Sequence, residues 1–572
     1  MAGGRVHFEL FVRKYPDSDW KLDMASETRS AVIDMAKERV ARGEVVAARV
    51  AKETLDEETG EFNSLNILTL GAPEKRSKPK PPESTEPLCI APQDLYTVHA
   101  RERIGRLLEE WLERHRATPF ELLHRPDLVE QLEASGVEIA HAVHQIAMPE
   151  AFARGTTVAA MTANFKSLTD RAIERLMKDR ARRALPQVDK QSFAKVAAKM
   201  AKDPEGAYLL GCAVAGHLAP AESWGEKVGL LLDLADAAPQ PSAARILALS
   251  VLNQCLAEIV GSKKGLDDIL GGGLDLGGGL AAMTRLCAAT IIDKLVEIES
   301  SVAKVMPDLS PRAQRLAKWL GTEDFTDVRA SIGLRVLREL NGPRRLRPAD
   351  AAGEIDVLRG LAMALTAAAG KLLPIDDVQA AFSARSRMLV TRHFVEVYLG
   401  TDRAAYDEAH ALVWLTENII GGGNKREAGR WLNTLISSLR FEREFRQSPQ
   451  PIATRLAGLS RLQRAVSRCG LVAEDFGPIQ AKLGELGGLI EADSRMIALT
   501  LVAEAPALSR LTVLLKMACG ETAPLGPAAD RARAEALKFA RSESIRAELV
   551  SDPEQVDTIR DLLQHASTAV AA

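Results

Sequence analysis

Val6, Phe8, Leu10 and Val12 alternate with His7, Glu9 and Phe11, the period of a strand with one buried face. Pro16, Asp17, Ser18 and Asp19 read as a turn, and residues 20–24 as a second strand. Ser26, with Glu27 behind it, opens a helical stretch in which Ala31, Met35, Ala36 and Val40 recur at helical spacing up to Gly43. Residues 45–54 return to a strand pattern, 57–60 supply hairpin chemistry, and 62–70 form a last strand. Residues 1–72 therefore predict a small N-terminal α+β head of ββαββ order, an antiparallel sheet crossed by one helix. Such a head is a folded cap or a recognition module, because an exposed edge strand accepts a partner's peptide strand.

The texture breaks at residue 73. From Pro73 to Pro92 the chain places six of its 27 prolines among lysines, glutamates and serines. Between Gly71 and Pro87 it has no valine, leucine, isoleucine, methionine or aromatic residue. A stretch of that composition has too little apolar surface to offset the entropy of ordering it, so residues 73–94 read as a solvated linker.

Past Asp94 the apolar period becomes that of a helix. Leu95, Val98, Ile104, Leu107, Leu108, Trp111 and Leu112 mark a first amphipathic helix. Helix starts recur as a polar cap before proline: Thr118-Pro119 (with Glu121 completing a capping box), Asp203-Pro204, Ser310-Pro311 and Asp552-Pro553. Gly136, Gly155, Gly261, Gly321, Gly400, Gly421 and Gly470 mark helix ends. Some twenty helices of ordinary length fill the region, by the typical helix length. The expected class is predominantly all-α, a multi-helix array of α-solenoid-like or multi-bundle kind. Its expected divisions are a helical subdomain at 95–186, helical arrays at 187–345 and 346–505, and a C-terminal helical segment at 506–572. One loose echo joins 256–261 to 415–421, each behind an alanine-rich amphipathic stretch.

Composition adds limits. At 572 residues the chain exceeds one core, and 46% hydrophobic with 26% charged residues falls in the soluble globular range. A net charge of −3 over 74 basic and 77 acidic residues excludes a global pull towards nucleic acid or anionic membrane. Cys89, Cys212, Cys255, Cys287, Cys469 and Cys519 form no CxxC pair, which suits isolated thiols in a reducing compartment. Residues 1–20 lack the apolar core of a signal peptide, and no run of about 18 uncharged apolar residues offers a membrane span. The nearest, 274–292, is broken by Asp275, Arg285 and three glycines. A cytoplasmic protein without membrane insertion is the expectation.

Candidate chemistry is sparse. Glu138 and His141 share an ExxH spacing, His144 lies three residues on, and Asp407 and His410 repeat the spacing. Paired ExxH segments hold metals in carboxylate-bridged bundles. In an alanine- and valine-rich helix, however, such histidines are more often core-edge or surface residues. Residues 270–280 (LGGGLDLGGGL) and 421–426, ending in Lys425 and Arg426, are glycine turns of the kind that cradle phosphate at helix starts, though neither is a Walker loop. Arg180, Arg182 and Arg183 form one basic cluster; Arg335, Arg338, Arg344, Arg345 and Arg347 form another. Of these, Arg344, Arg345, Arg347, Lys425 and Arg426 are the candidate anion-binding residues. Mixed-sign charge around them makes a solvated helix face the preferred reading. Arg440, Phe441, Arg443, Phe445 and Arg446 read as a helix held by its own charge pairs.

There is no GxSxG, HExxH or nucleophile pairing, so no catalytic residue and no cofactor is assigned. The chain reads first as a non-catalytic interaction scaffold or adaptor whose partners are other proteins, with a tethered recognition head. A nucleic-acid or nucleotide-responsive regulator using the arginine clusters is the second reading. An all-α enzyme or metal-binding protein is the third.

Overall fold

The computed structural model describes residues 6–14, 18, 20–55, 62–71, 87–262, 264–551 and 555–568. The 57–60 turn, Pro16, Asp17 and Asp19, residues 73–86 of the linker and the Asp552-Pro553 helix start lie outside the described residues.

The alternation of the head becomes β1 (Val6–Arg13), β2 (Lys21–Ser26), β3 (Ala47–Leu55) and β4 (Phe62–Gly71), with helix α1 (Arg29–Ala41) between β2 and β3. The sheet is antiparallel in the order β2-β1-β3-β4. Phe11 faces Leu22 on one side and Arg49 on the other, and Val50 faces Leu68. Ladder irregularities at Leu10/Phe11 and at Val50/Ala51 bend the sheet. α1 lies across all four strands and closes a small core of Leu10, Val32, Ala36 and Val50, all fully buried. The helix starts at Arg29 rather than Ser26. β2 runs on through Ser26, whose Oγ accepts the Thr28 N–H at 3.1 Å. The compact unit that contains the head also includes Met148–Met161, the end of the helix Glu138–Arg154, the turn after it and the start of the helix Val158–Ala181.

The second unit is a helical array. Among the described residues twenty-nine α-helices follow the head, from Val98–Leu107 to Gln555–Thr568. That exceeds the expected twenty because many helices are short, such as Pro119–His124, Gly265–Leu270 and Met496–Val502. The expected first amphipathic helix is three pieces: a 3-10 turn at Pro92–Tyr96, then Val98–Leu107, then Glu109–His115. The break at Leu108 (φ −114°, ψ 20°) involves neither proline nor glycine; it lets Leu108, Trp111 and Leu112 enter one buried cluster.

Some helices pack on the next in the chain and others on partners several helices away. Ala243–Gly261 lies against Phe193–Met200 and Thr326–Asn341, Leu276–Cys287 against Ala351–Ala367, Ile452–Val466 against Ala473–Ser494, and Ala507–Ala518 against Pro527–Phe539. One continuous apolar core extends from Phe120 to Ala566. Thr118 forms its capping box with Glu121, and Ser310 caps its helix at Ala313. Asp203 instead turns the chain by accepting the Glu205 N–H, and the helix begins at Gly206. Gly136, Gly155, Gly400, Gly421 and Gly470 take positive φ at helix ends. Gly261 remains helical, and Gly321 ends its helix at φ −71°. The two echoing segments both end in extended backbone, at Ser262 and Ile419, before unlike helices.

One helix among the described residues, Ala243–Gly261, is long and apolar enough to cross a membrane. It lies in the core, with Ala248, Leu252, Cys255, Leu256 and Ile259 fully buried.

Candidate functional site

Each helix leaves four N–H and four C=O groups without an internal partner, and an array of short helices multiplies such ends. Here side chains from neighbouring helices satisfy them. At N-termini, Glu258 accepts the Phe120 N–H (2.6 Å), Asp268 that of Gly225 (2.7 Å) and Asn253 that of Val328 (3.2 Å). Glu444 accepts from Ala405 (2.6 Å), and Glu548 from both Ala507 and Leu508 (2.7 and 2.8 Å). At C-termini the caps are cations. Arg335 donates to the Ser262 carbonyl, Arg455 to Phe445 and Arg446, and Arg533 to Ala518 and Ala566. A carboxylate at four of these five starts and a base at the ends match the helix dipole.

Arg385 is the deepest of these, 1% exposed. Its guanidinium donates to the carbonyls of Leu340 (3.0 Å), Glu339 (2.6 Å) and Arg344, at and just past the end of Thr326–Asn341. Burial lowers its pKa.

The same logic places the candidate anion-binding residues. Lys425 donates to the carbonyls of Thr416 (3.1 Å), Glu417 (3.4 Å) and Cys469 (2.6 Å), closing the end of Ala405–Asn418. Desolvation lowers its pKa. Arg426 pairs with Asp475 at 3.2 Å, Arg345 with the buried Glu354 at 2.8 Å, and Arg347 with Asp275 at 3.1 Å. Arg344 is exposed, and its carbonyl receives Arg385. The structure thus separates the 344–347 arginines from Lys425 and Arg426 and gives four of the five side chains internal partners. Arg440 keeps the expected pair with Glu444 and adds one with Glu408 from another helix.

Glu138, His141 and His144 sit on the helix Glu138–Arg154, where both histidines are exposed and His141 meets Gln145 at 2.8 Å. Among the described residues no three His, Cys, Asp or Glu side chains converge as a metal site. Of the glycine turns, 271–273 is a loop with positive φ at Gly271 and Gly273. Gly277 packs where an added Cβ would lie 2.5 Å from Val357.

A buried ionic layer ties the first helices of this unit to the core. Glu121, fully buried, receives Lys227 at 2.8 and 2.9 Å and Arg125 at 3.1 Å. Arg101 pairs with Glu258 at 2.5 Å, and Arg125 also with Asp127 at 2.6 Å. Three acids (Glu121, Glu258, Asp127) balance three bases (Lys227, Arg101, Arg125). Burial raises the Glu258 pKa, opposed by Arg101. Beside this layer His124 is 4% exposed, bonded through Nδ1 to the Phe120 carbonyl at 2.7 Å, and burial lowers its pKa to about 4. Five of the six cysteines are buried. Burial raises the thiol pKa of Cys212, Cys287 and Cys469 to about 12. Such thiols remain protonated and weakly nucleophilic at neutral pH.

One recess in this unit has no side chain filling it. It encloses about 140 Å³ between the 3-10 turn Pro92–Tyr96 and the helices of residues 98–176, and its walls include Ile104, Leu132, Val143, Phe165 and Leu176. Its two polar lining residues are Tyr96 and Thr169. The Thr169 hydroxyl already donates to the Phe165 carbonyl at 2.9 Å. The Tyr96 hydroxyl is buried without a hydrogen-bond partner, its ring held edge-on by His124 and Tyr208, and burial raises its pKa. Sequence reading missed this recess, because its walls have the same leucine and isoleucine spacing as filled core.

In the head, β4 is an edge strand of ten residues whose ladder partner among the described residues is β3 alone. Leu65 on it is 62% exposed. No family model, no curated protein and no solved structure matches the chain.

Proposed function

We propose that this chain is a non-catalytic interaction protein of the cytoplasm, in which the head takes an extended segment of a partner protein and the helical array forms the body of the scaffold. The observation that carries the reading is β4. An edge strand presents a row of backbone N–H and C=O groups, and natural proteins shield or shorten edges that are not meant to pair. β4 is ten residues long and carries an outward leucine at 65. Addition of a partner's strand supplies main-chain hydrogen bonds for affinity and side-chain contacts for selectivity. The internal pairing of Arg345, Arg347, Lys425 and Arg426 weighs against the nucleotide-responsive alternative, since charges already paired offer little to an incoming phosphate.

The test is capture of partners from nuclease-treated lysate on the full chain and on Leu65→Lys, a charge placed on the edge at small cost to the fold. Proteins held by the wild type and lost with Leu65→Lys support the reading. Equal retention by both contradicts the role of β4, and recovery limited to nucleic acid contradicts the scaffold itself.

A further inference from the structure

The two edges of the head's sheet differ in the charge that α1 sets beside them. Arg39 pairs with Asp23 on β2 at 3.4 Å and with Glu44 at 2.6 Å, so that flank of the helix holds its own counter-charges. At about 100° per residue, Val32, Ala36 and Val40 turn from α1 towards the sheet, and Ile33 and Lys37 follow on the flank away from Arg39. The strand order β2-β1-β3-β4 puts that flank towards β4. Ile33 packs against the head's core, and Lys37 is exposed.

β3 adds a second lysine on the same side. Lys52 stands opposite Phe8 on β1 and Leu65 on β4, two positions from the buried Val50, and so lies on the face that α1 covers. Phe8 is opposite Ser26, and α1 begins shortly after it at Arg29, so Lys52 is at the end of the sheet where the helix starts. Lys37 is about two turns further along. The irregularity in β4 keeps Leu65, Leu68 and Leu70 all on this face, opposite Lys52, Val50 and Ala48. The strip between α1 and the edge is therefore apolar along its middle, with a lysine towards each end. Neither lysine has a counter-charge among the described residues, and β4 itself carries no charged residue.

A strand added at β4 continues the pleat, so every second side chain of it joins this strip. We infer that the segment taken by β4 carries an apolar residue between two acidic ones at alternate positions, the apolar side chain beside Leu68 and the acids towards Lys52 and Lys37. The inference rests on the reading of β4 as the pairing edge and names the chemistry of its partner. A second copy of this chain is the poorer occupant, because its own uncharged β4 leaves both lysines without a counter-charge.

Three labelled peptides test it by fluorescence anisotropy on the full chain. Each alternates threonine with the series glutamate–valine–glutamate, or with the same series carrying glutamine or lysine in place of glutamate. The wild type binds the glutamate peptide about ten-fold more tightly than the glutamine one, the worth of two exposed ion pairs, and the lysine peptide most weakly. High salt narrows the difference. Lys37→Glu/Lys52→Glu, checked for helix content and melting temperature, reverses the order and prefers lysine. Hydrogen exchange shows the β4 amides protected by the bound peptide. Equal affinity for all three peptides with β4 protected overturns the acidic preference and leaves the edge reading standing. Selective binding without protection of β4 overturns the placement. Binding of none to the wild type overturns the inference, while capture from lysate decides the edge reading by itself.

Discussion

Replacing Arg385 by methionine removes a buried cation and keeps an unbranched side chain of similar length, so the perturbation falls on the hydrogen bonds more than on packing. The carbonyls of Leu340 and Arg344 lose their donor, while that of Glu339 keeps the Gly342 N–H at 3.2 Å. A buried acceptor left without a partner costs about 1–3 kcal/mol. Relief of the guanidinium's own desolvation offsets part of this, so the low end applies to each of the two carbonyls and the net loss is about 2 kcal/mol. In a chain of this length global unfolding need not be two-state, and the local readout is hydrogen exchange along Thr326–Asn341. A loss of about 2 kcal/mol corresponds to exchange about thirty-fold faster at the end of that helix. Arg385→Lys restores part of the protection, because an ammonium keeps the charge but not the planar fork that reaches three separate oxygens. Exchange in Arg385→Met within about three-fold of wild type, with an unchanged urea midpoint, refutes the claim that Arg385 holds this helix end.

Three further outcomes follow from the buried residues. His124 has a native pKa lowered to about 4 against an unfolded value of about 6.5, so between those limits the unfolded chain binds the extra proton. Stability is complete above pH 6.5 and falls with pH down to 4, by about 3 kcal/mol from this group; His124→Leu should flatten that limb of the stability profile. A Cβ at Gly211 would lie 2.6 Å from His124 Nε2, so Gly211→Ala should destabilise by about 1–3 kcal/mol although alanine is the better helix former. A cycle with His124→Ala should recover most of that loss in chemical denaturation. The thiols of Cys212, Cys287 and Cys469, with pKa raised to about 12, should resist a disulfide reagent at pH 8 in native protein and react at once in denaturant.

Much of the fold was legible. Strict alternation in residues 6–12 and the capping signals at Thr118 and Ser310 are local, and local patterns are what a sequence displays directly. The breaks at Leu108 and Arg495 were not legible, since no proline or glycine announces them; tertiary packing decides where those helices stop. The roles of the charged residues were hidden for a related reason. Lys425 reaches across 44 positions to the Cys469 carbonyl, and Glu258 across 138 to Phe120. In the sequence both are simply charges among opposite charges, as much a solvated face or an anion site as a helix cap. The recess is the extreme case, because a wall that lines a void and a wall that meets a neighbour have the same periodicity.

The account rests on side chains of one helix closing the ends of another, and Glu548 tests this most directly. The Ala507 and Leu508 amides begin their helix and have no acceptor within it; each donates to a Glu548 oxygen. The amides of Ile452 and Ala453 begin a helix that has no side-chain cap and serve as the internal reference. Residue-resolved native-state hydrogen exchange should find Ala507 and Leu508 protected and the reference pair close to intrinsic rates. Glu548→Ala should accelerate the first pair by about ten- to a hundred-fold, the worth of a hydrogen bond to a charged group, with the centre of the helix unchanged. Equal exchange at the two helix starts in wild type, or no response to Glu548→Ala, would contradict the account.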